Sequence, residues 1–128
     1  MARKPASGLT DRESEIMDIV WELGTASSEQ IRLRLSGQPH DSSVRTLLRI
    51  LVGKGFVKSN TKERPTLYSA AVKKDKAQKS AANRLLQRLF GGSAETLVLR
   101  LLEDKQLTIE QLEEIKQLAK KTTKGKKA

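Results

Sequence analysis

The chain has 128 residues, enough for one domain or two small ones, and its 25 Lys and Arg against 15 Asp and Glu leave a formal net charge of +10. With no cysteine, disulfides, thiol redox sensing and cysteine metal sites are excluded; no window approaches the roughly 18 consecutive apolar residues of a membrane span, and Met1 to Pro5 lacks the apolar stretch of a signal peptide, so a cytoplasmic protein is expected. The basic excess suits a phosphate backbone or an anionic surface, while one Trp and two Phe imply a thin core of Leu, Ile and Val that a second copy of the chain would help to bury.

Thr10-Asp11-Arg12-Glu13 fits a capping box, in which the Thr hydroxyl and the Glu carboxylate satisfy each other's backbone N–H groups. Behind it Ile16, Met17, Ile19, Val20 and Leu23 fall on one stripe of a helix that ends at Gly24, with Trp21 covering the edge. Ser27-Ser28-Glu29-Gln30 is a second capping box and opens a shorter helix to about Ser36, stopped by Gly37-Gln38-Pro39. Asp41 is expected to cap a third helix, residues 42–54, with Val44, Leu47, Leu48 and Leu51 as its buried stripe and Gly55 at its end. The period then changes: residues 56–59 and 66–69 are short β-prone runs around a polar loop, residues 60–65, which reads as a hairpin. Three helices and a hairpin make a winged helix-turn-helix, so the fold class is mainly α with a small β wing.

Beyond residue 72 the pattern is helical again. One helix runs to Phe90 before the break at Gly91-Gly92, and Ser93 caps the next, which carries Leu97, Val98, Leu101 and Leu102. Thr108 and Gln111 form a third capping box, with Leu107 and Leu112 at the positions of a hydrophobic staple. The expected organisation is a winged-helix domain over residues 1–72, a helical dimerisation domain over 73–121 and a disordered basic tail over 122–128.

Little here can build an enzyme or a cofactor site. The only histidine is His40, read as a solvated loop residue or a pH-sensitive phosphate contact. Ser42 and Ser43 have no base at a recognisable spacing, and neither a Gly-rich phosphate loop nor a metal-ligand cluster is visible, so no cofactor is expected. The third helix is different. At about 100° per residue, Ser42, Arg45, Thr46 and Arg49 fall opposite the buried stripe. Arginine can bond the O6/N7 edge of guanine with two nitrogens, threonine can touch a thymine methyl, and small hydroxyl residues let a helix N-terminus approach a phosphate.

Charge is concentrated in the same region. Residues 1–41 hold five basic and seven acidic side chains, whereas residues 42–64 hold six basic (Arg45, Arg49, Lys54, Lys58, Lys62, Arg64) against Glu63 alone. The expected DNA-contacting set is therefore Ser42, Arg45, Thr46, Arg49, Lys54, Lys62 and Arg64, to which the family resemblance described below adds Ser43. Arg64, beside Pro65 at the wing tip, either enters a minor groove or contacts a phosphate. Further on, Leu85, Leu86, Leu89, Phe90, Leu97, Val98, Leu101, Leu102, Leu112, Ile115 and Leu118 are too many apolar side chains for isolated helices to hide. They are read as the interface of a twofold homodimer. A sequence-specific repressor on double-stranded DNA is the first reading. A winged-helix protein-interaction module and a nonspecific architectural DNA binder are the alternatives.

Several stretches carry a family resemblance: Leu9-Thr10-Asp11-Arg12-Glu13-Ser14-Glu15-Ile16-Met17 with Val20-Trp21-Glu22, then Ser43-Val44-Arg45-Thr46-Leu47-Leu48, Arg64, Tyr68-Ser69, and Leu89-Phe90-Gly91-Gly92-Ser93. In order and spacing they resemble the penicillinase-repressor family of bacterial regulators, which includes the methicillin-resistance repressor. The resemblance implies homodimers on palindromic operators, with Ser43, Arg45 and Thr46 at DNA-contacting positions. It also implies release through cleavage triggered by a membrane sensor protease. The chain departs from the family pattern at Ile50, where arginine is usual, at Gly53, where lysine is common, and at Arg100-Leu101, which aligns with the scissile Asn-Phe pair of the staphylococcal type. The C-terminal cysteines of the copper-responsive branch are missing.

Overall fold

The computed structural model describes the backbone of residues 8–126 and the side chains of residues 8–122. Helix α1 (Asp11–Leu23) leads into a three-residue strand β1 (Thr25–Ser27), then α2 (Ser28–Arg34) and α3 (Asp41–Lys54). Strands β2 (Val57–Asn60) and β3 (Leu67–Ala70) form the wing, and α4 (Lys74–Leu89), α5 (Ala94–Glu103) and α6 (Ile109–Lys126) follow. This is the winged-helix arrangement, mainly α with one small antiparallel sheet.

The capping boxes form as the sequence implies. Thr10 N–H donates to Glu13 Oε1 at 2.9 Å while Glu13 N–H donates to Thr10 Oγ1 at 3.2 Å, and Ser27 with Gln30 repeats the pattern. So does Thr108 with Gln111 at the last helix. Each box fixes a helix start by satisfying two otherwise unpaired donors.

Strand β1 has no counterpart in the sequence reading. Three residues, Thr-Ala-Ser, carry no alternation to detect. The sheet order is β1-β3-β2, and β1 pairs with β3 so that Ala26 faces Tyr68. Fully buried Ala26 thereby closes the sheet against the core. Helix α2 ends at Arg34 rather than near Ser36, because Leu35 leaves helical geometry to bury its side chain in the core. The turn after it is clasped from α1: Ser36 N–H donates to Glu15 Oε2 at 2.7 Å, and Arg12 donates to the Ser36 carbonyl at 2.9 Å.

Helix α3 is seated by Val44, Leu48 and Leu51, all fully buried, whereas Leu47 is only partly covered. They pack in one cluster with Ile16, Met17, Ile19 and Val20 of α1, Ile31 of α2, and Phe56 and Val57 beyond α3. At the C-terminal end Gly55 adopts φ 88, and Phe56 N–H reaches back to the Leu51 carbonyl at 3.0 Å. This cap needs a left-handed residue, which glycine supplies without a Cβ clash. Phe56 is therefore part of the helix stop, and the strand begins one residue later than its β-prone composition suggests.

The chain divides into two compact units after Ala81, inside α4. The expected boundary near residue 72 falls earlier. Val72 and Ala77 pack against the first unit's core, and the Trp21 indole N–H donates to the Val72 carbonyl at 2.9 Å. The start of α4 thus belongs to the winged helix. In the second unit α6 runs as helix to Lys126, past the point where a disordered tail was expected. Lysine is a good helix former, so a run of it does not by itself end a helix.

Gly53 sits inside α3 with an ordinary helical φ, and a Cβ there would meet nothing within 4 Å. Replacing it removes backbone freedom from the unfolded chain at no steric cost. Gly53→Ala is expected to raise stability by about 0.5–1 kcal/mol, measured by urea denaturation at fixed protein concentration; an unchanged or lower midpoint would contradict this.

Candidate nucleic-acid interface

On α3 the side away from the core carries Ser42, Ser43, Arg45, Thr46 and Arg49, all exposed. The sequence expectation placed Asp41 as a side-chain cap. In the structure His40 is the N-cap residue and makes no side-chain cap bond, while Asp41 is the first helical residue. Its carboxylate instead takes Arg45 one turn on, with Arg45 Nε donating to Asp41 Oδ2 at 2.8 Å. An acid in the first turn also complements the helix dipole. The outward side of α3 therefore includes a carboxylate beside its two arginines.

The pair uses only Nε, so the two terminal nitrogens of Arg45 have no partner among the described residues. Arg49, one turn further along, forms no ion pair there either. The Thr46 hydroxyl donates to the Ser42 carbonyl at 2.9 Å. Its hydrogen is used within the helix, leaving the methyl and the acceptor side of the oxygen for other contacts.

The wing adds Lys58 on β2 and Lys62, Glu63 and Arg64 in its turn, all exposed. Lys58, opposite Ser69 in the hairpin, contributed to the regional charge but was not singled out from sequence. Asn60 Oδ1 accepts from Lys62 N–H at 3.1 Å, an Asx turn that starts the wing tip.

Lys54 is not part of this surface. Its ammonium lies 2.7 Å from Glu13 Oε1 and 3.0 Å from the Gly8 carbonyl, with the Glu13 side chain 4% and the Lys54 side chain 18% exposed. Net charge alone cannot separate a lysine bound inward from one facing solvent. Lys54 follows Leu51 by three residues, which turns it toward α1 rather than outward.

In the second unit no described side chain is buried. Leu85, Leu89, Ile115 and Leu118 are exposed, and Leu86, Phe90, Leu97, Val98, Leu101, Leu102 and Leu112 are half-buried. Leu99 and Ile109, absent from the sequence-derived set, are exposed as well. Leu99 lines a shallow apolar groove along α5, about 390 Å³, with Ala94, Glu95, Val98 and Leu102. It lies off the stripe of Leu97, Val98, Leu101 and Leu102, so only the near-continuous apolar run from 97 to 102 signalled it.

The profile of the penicillinase repressor family matches residues 9–121. The chain belongs to the penicillinase repressor family. It is 27% identical over 108 residues to the penicillinase repressor of Staphylococcus aureus, covering 83% of this chain and 86% of that protein. It is 31% identical over 112 residues to an uncharacterized 16.5 kDa protein encoded in the ptsI 3' region of Latilactobacillus sakei, covering 86% and 77%. A methicillin resistance regulatory protein, MecI of Staphylococcus aureus strain N315, is 24% identical over 117 residues, covering 88% and 94%. No described helix of this family member is long and apolar enough to cross a membrane.

The family match opens at Leu9, next to the Gly8 carbonyl that Lys54 grips. Burial raises the pKa of the neighbouring Glu13 carboxyl, but the hydrogen bond from Lys54, the Thr10 N–H and the attraction of the ammonium outweigh it. The net result is a pKa below the ordinary 4.5. Because the folded value lies below the unfolded one, this contribution to stability is fully present above the ordinary value and is lost as pH falls through the lowered one. Lys54→Met removes the partner of a buried carboxylate. It is expected to cost about 1–3 kcal/mol near pH 7 and to flatten the acid-side loss of stability, because without the ammonium, burial brings the folded pKa of Glu13 back toward its unfolded value, followed by urea melts from pH 7 down to pH 3. A variant with the wild-type acid limb would show that the pair does not hold Glu13 ionised.

Proposed function

We propose that this chain is a sequence-specific transcriptional repressor that binds an operator in double-stranded DNA as a homodimer. The observation that carries the reading is the outward side of α3. Ser42, Ser43, Thr46 and Arg49 are exposed there beside an Arg45 whose terminal nitrogens are unused, and the wing adds Lys58, Lys62 and Arg64. Helix-turn-helix proteins lay such a helix in the major groove, where arginine and threonine read base edges and wing cations meet the flanking backbone. The names of the relatives, penicillinase repressor and methicillin resistance regulatory protein, point the same way. The protein acts in the cytoplasm, where such an operator lies.

The dimer reading is supported by the unburied apolar side chains of the second unit, with Leu89 75% and Leu118 62% exposed. A twofold partner presenting the same helices would cover them, and twofold protein symmetry calls for a palindromic operator. Release by a sensor protease at Arg100-Leu101 is not favoured. That peptide bond lies inside α5, and Arg100 is paired with Glu103 at 2.9 Å. Cleavage concentrates at exposed loops, so α5 would have to open first.

Selection of bound fragments from a genomic library tests the function directly, and palindromic enrichment is the expected result. Arg45→Ala should then cost about 1–3 kcal/mol of operator affinity and relax the preference at one base pair. A loss that is equal on every sequence would make Arg45 a phosphate contact. Leu89→Asp combined with Leu118→Asp should convert dimer to monomer in sedimentation equilibrium and weaken operator binding; a dimer that persists would place the interface elsewhere.

A further inference from the structure

One side chain on α3 serves neither the core nor the charged side. Ile50 is 42% exposed, in a helix whose Val44, Leu48 and Leu51 are fully buried. Val52 is exposed too, at 38%, but on the other flank. At about 100° per residue Ser43, Thr46 and Ile50 follow one another as a single ridge, while Arg45, Arg49 and Val52 form the opposite one. Ser42 and Gly53 lie between them.

The two ridges differ in chemistry. One presents guanidinium groups. The other carries the Ile50 side chain and Thr46, whose hydroxyl hydrogen is bonded back to the Ser42 carbonyl so that its methyl is the apolar group it has to offer, with the small Ser43 hydroxyl at the start of the ridge. A lone exposed aliphatic residue is ordinary on a protein surface. Ile50 differs in standing one turn from that methyl, on the side of α3 that faces away from the core. In the major groove the thymine methyl is the apolar feature that marks one base, and apolar side chains recognise it by contact.

We propose that Ile50 and the Thr46 methyl form an apolar edge that recognises thymine methyl groups, making Ile50 a specificity-determining residue of the operator contact. This rests on α3 being the DNA-reading helix. The contact carries no charge, so it changes preference without changing the number of counterions released.

The test uses the full chain and the operator recovered by selection. Each thymine is replaced in turn by deoxyuridine, which removes only the C5 methyl, and affinities are compared for wild type, Ile50→Ala and Ile50→Val. At one thymine the replacement is expected to weaken wild-type binding about fourfold, the worth of one methyl at ~0.8 kcal/mol. The same replacement should have a clearly smaller effect on Ile50→Ala, which keeps only the Thr46 methyl, and Ile50→Val should keep most of the sensitivity. Salt slopes should match in all three proteins, and melting temperatures confirm that the exposed substitution leaves the fold intact. Deoxyuridine losses that are the same in wild type and Ile50→Ala, or a salt slope altered by the substitution, would overturn the inference alone. A wild-type chain that enriches no sequence would overturn the function reading, and this inference with it.

Discussion

The seat of α3 is fixed at one end by an ion pair and along its length by three apolar side chains. Lys54, in the last turn of α3, grips Glu13 in the first turn of α1, and Glu13 is at the same time the return arm of the Thr10 capping box. One carboxylate thus starts α1 and anchors the end of α3. Val44, Leu48 and Leu51 set how deep the helix lies, while a directional bond to a buried charge opposes its rotation about its own axis. Which side chains face outward follows from that choice of rotation. A partner lost from such a pair leaves an uncompensated buried charge, so the arrangement tolerates little slack.

The two units solve the problem of a thin core differently. The winged helix gathers twelve buried apolar residues around α1, α2 and α3 into one cluster. The second unit has helices with apolar stripes and sharp starts, yet no buried side chain among its described residues. Short helices owe most of their stability to packing of such stripes. In the proposed dimer the second unit's stability is inseparable from protomer concentration, and operator occupancy and folding rise together.

Most of the fold was legible because its signals are local. Capping boxes at Thr10, Ser27 and Thr108 and the stripes behind them need only neighbours within one or two turns to be seen. Strand β1 was not legible. Its reason for being extended is Leu67–Ala70, some forty residues downstream, and three residues hold no period. At the candidate site the exposure of Ser42, Arg45, Thr46 and Arg49 on α3 followed from angular spacing, while Ser43 came from the family resemblance. Two residues followed from neither. Asp41 satisfies a cap rule and an i,i+4 pairing rule equally well, and the choice fell to the arginine one turn on. Lys54 counts as one positive charge in any regional sum, and its partner, forty-one residues earlier, is invisible until the chain folds.

The Asp41–Arg45 contact also bears on how the two arginines of α3 would meet a ligand. A free arginine side chain gives up rotamer freedom worth up to about 1.5–2 kcal/mol when it is fixed. Arg45 has surrendered part of that already, since its Nε is held 2.8 Å from Asp41 Oδ2, while Arg49 has surrendered none to any described partner. The same carboxylate repels a phosphate that approaches Arg45 from its own side. In the proposed operator contact Arg45 would be the more constrained and partly screened of the two, and Arg49 the looser one that adapts to a nearby anion. In that proposed contact, two residues of one type, one turn apart, would divide discrimination from adhesion by the presence of a single acid.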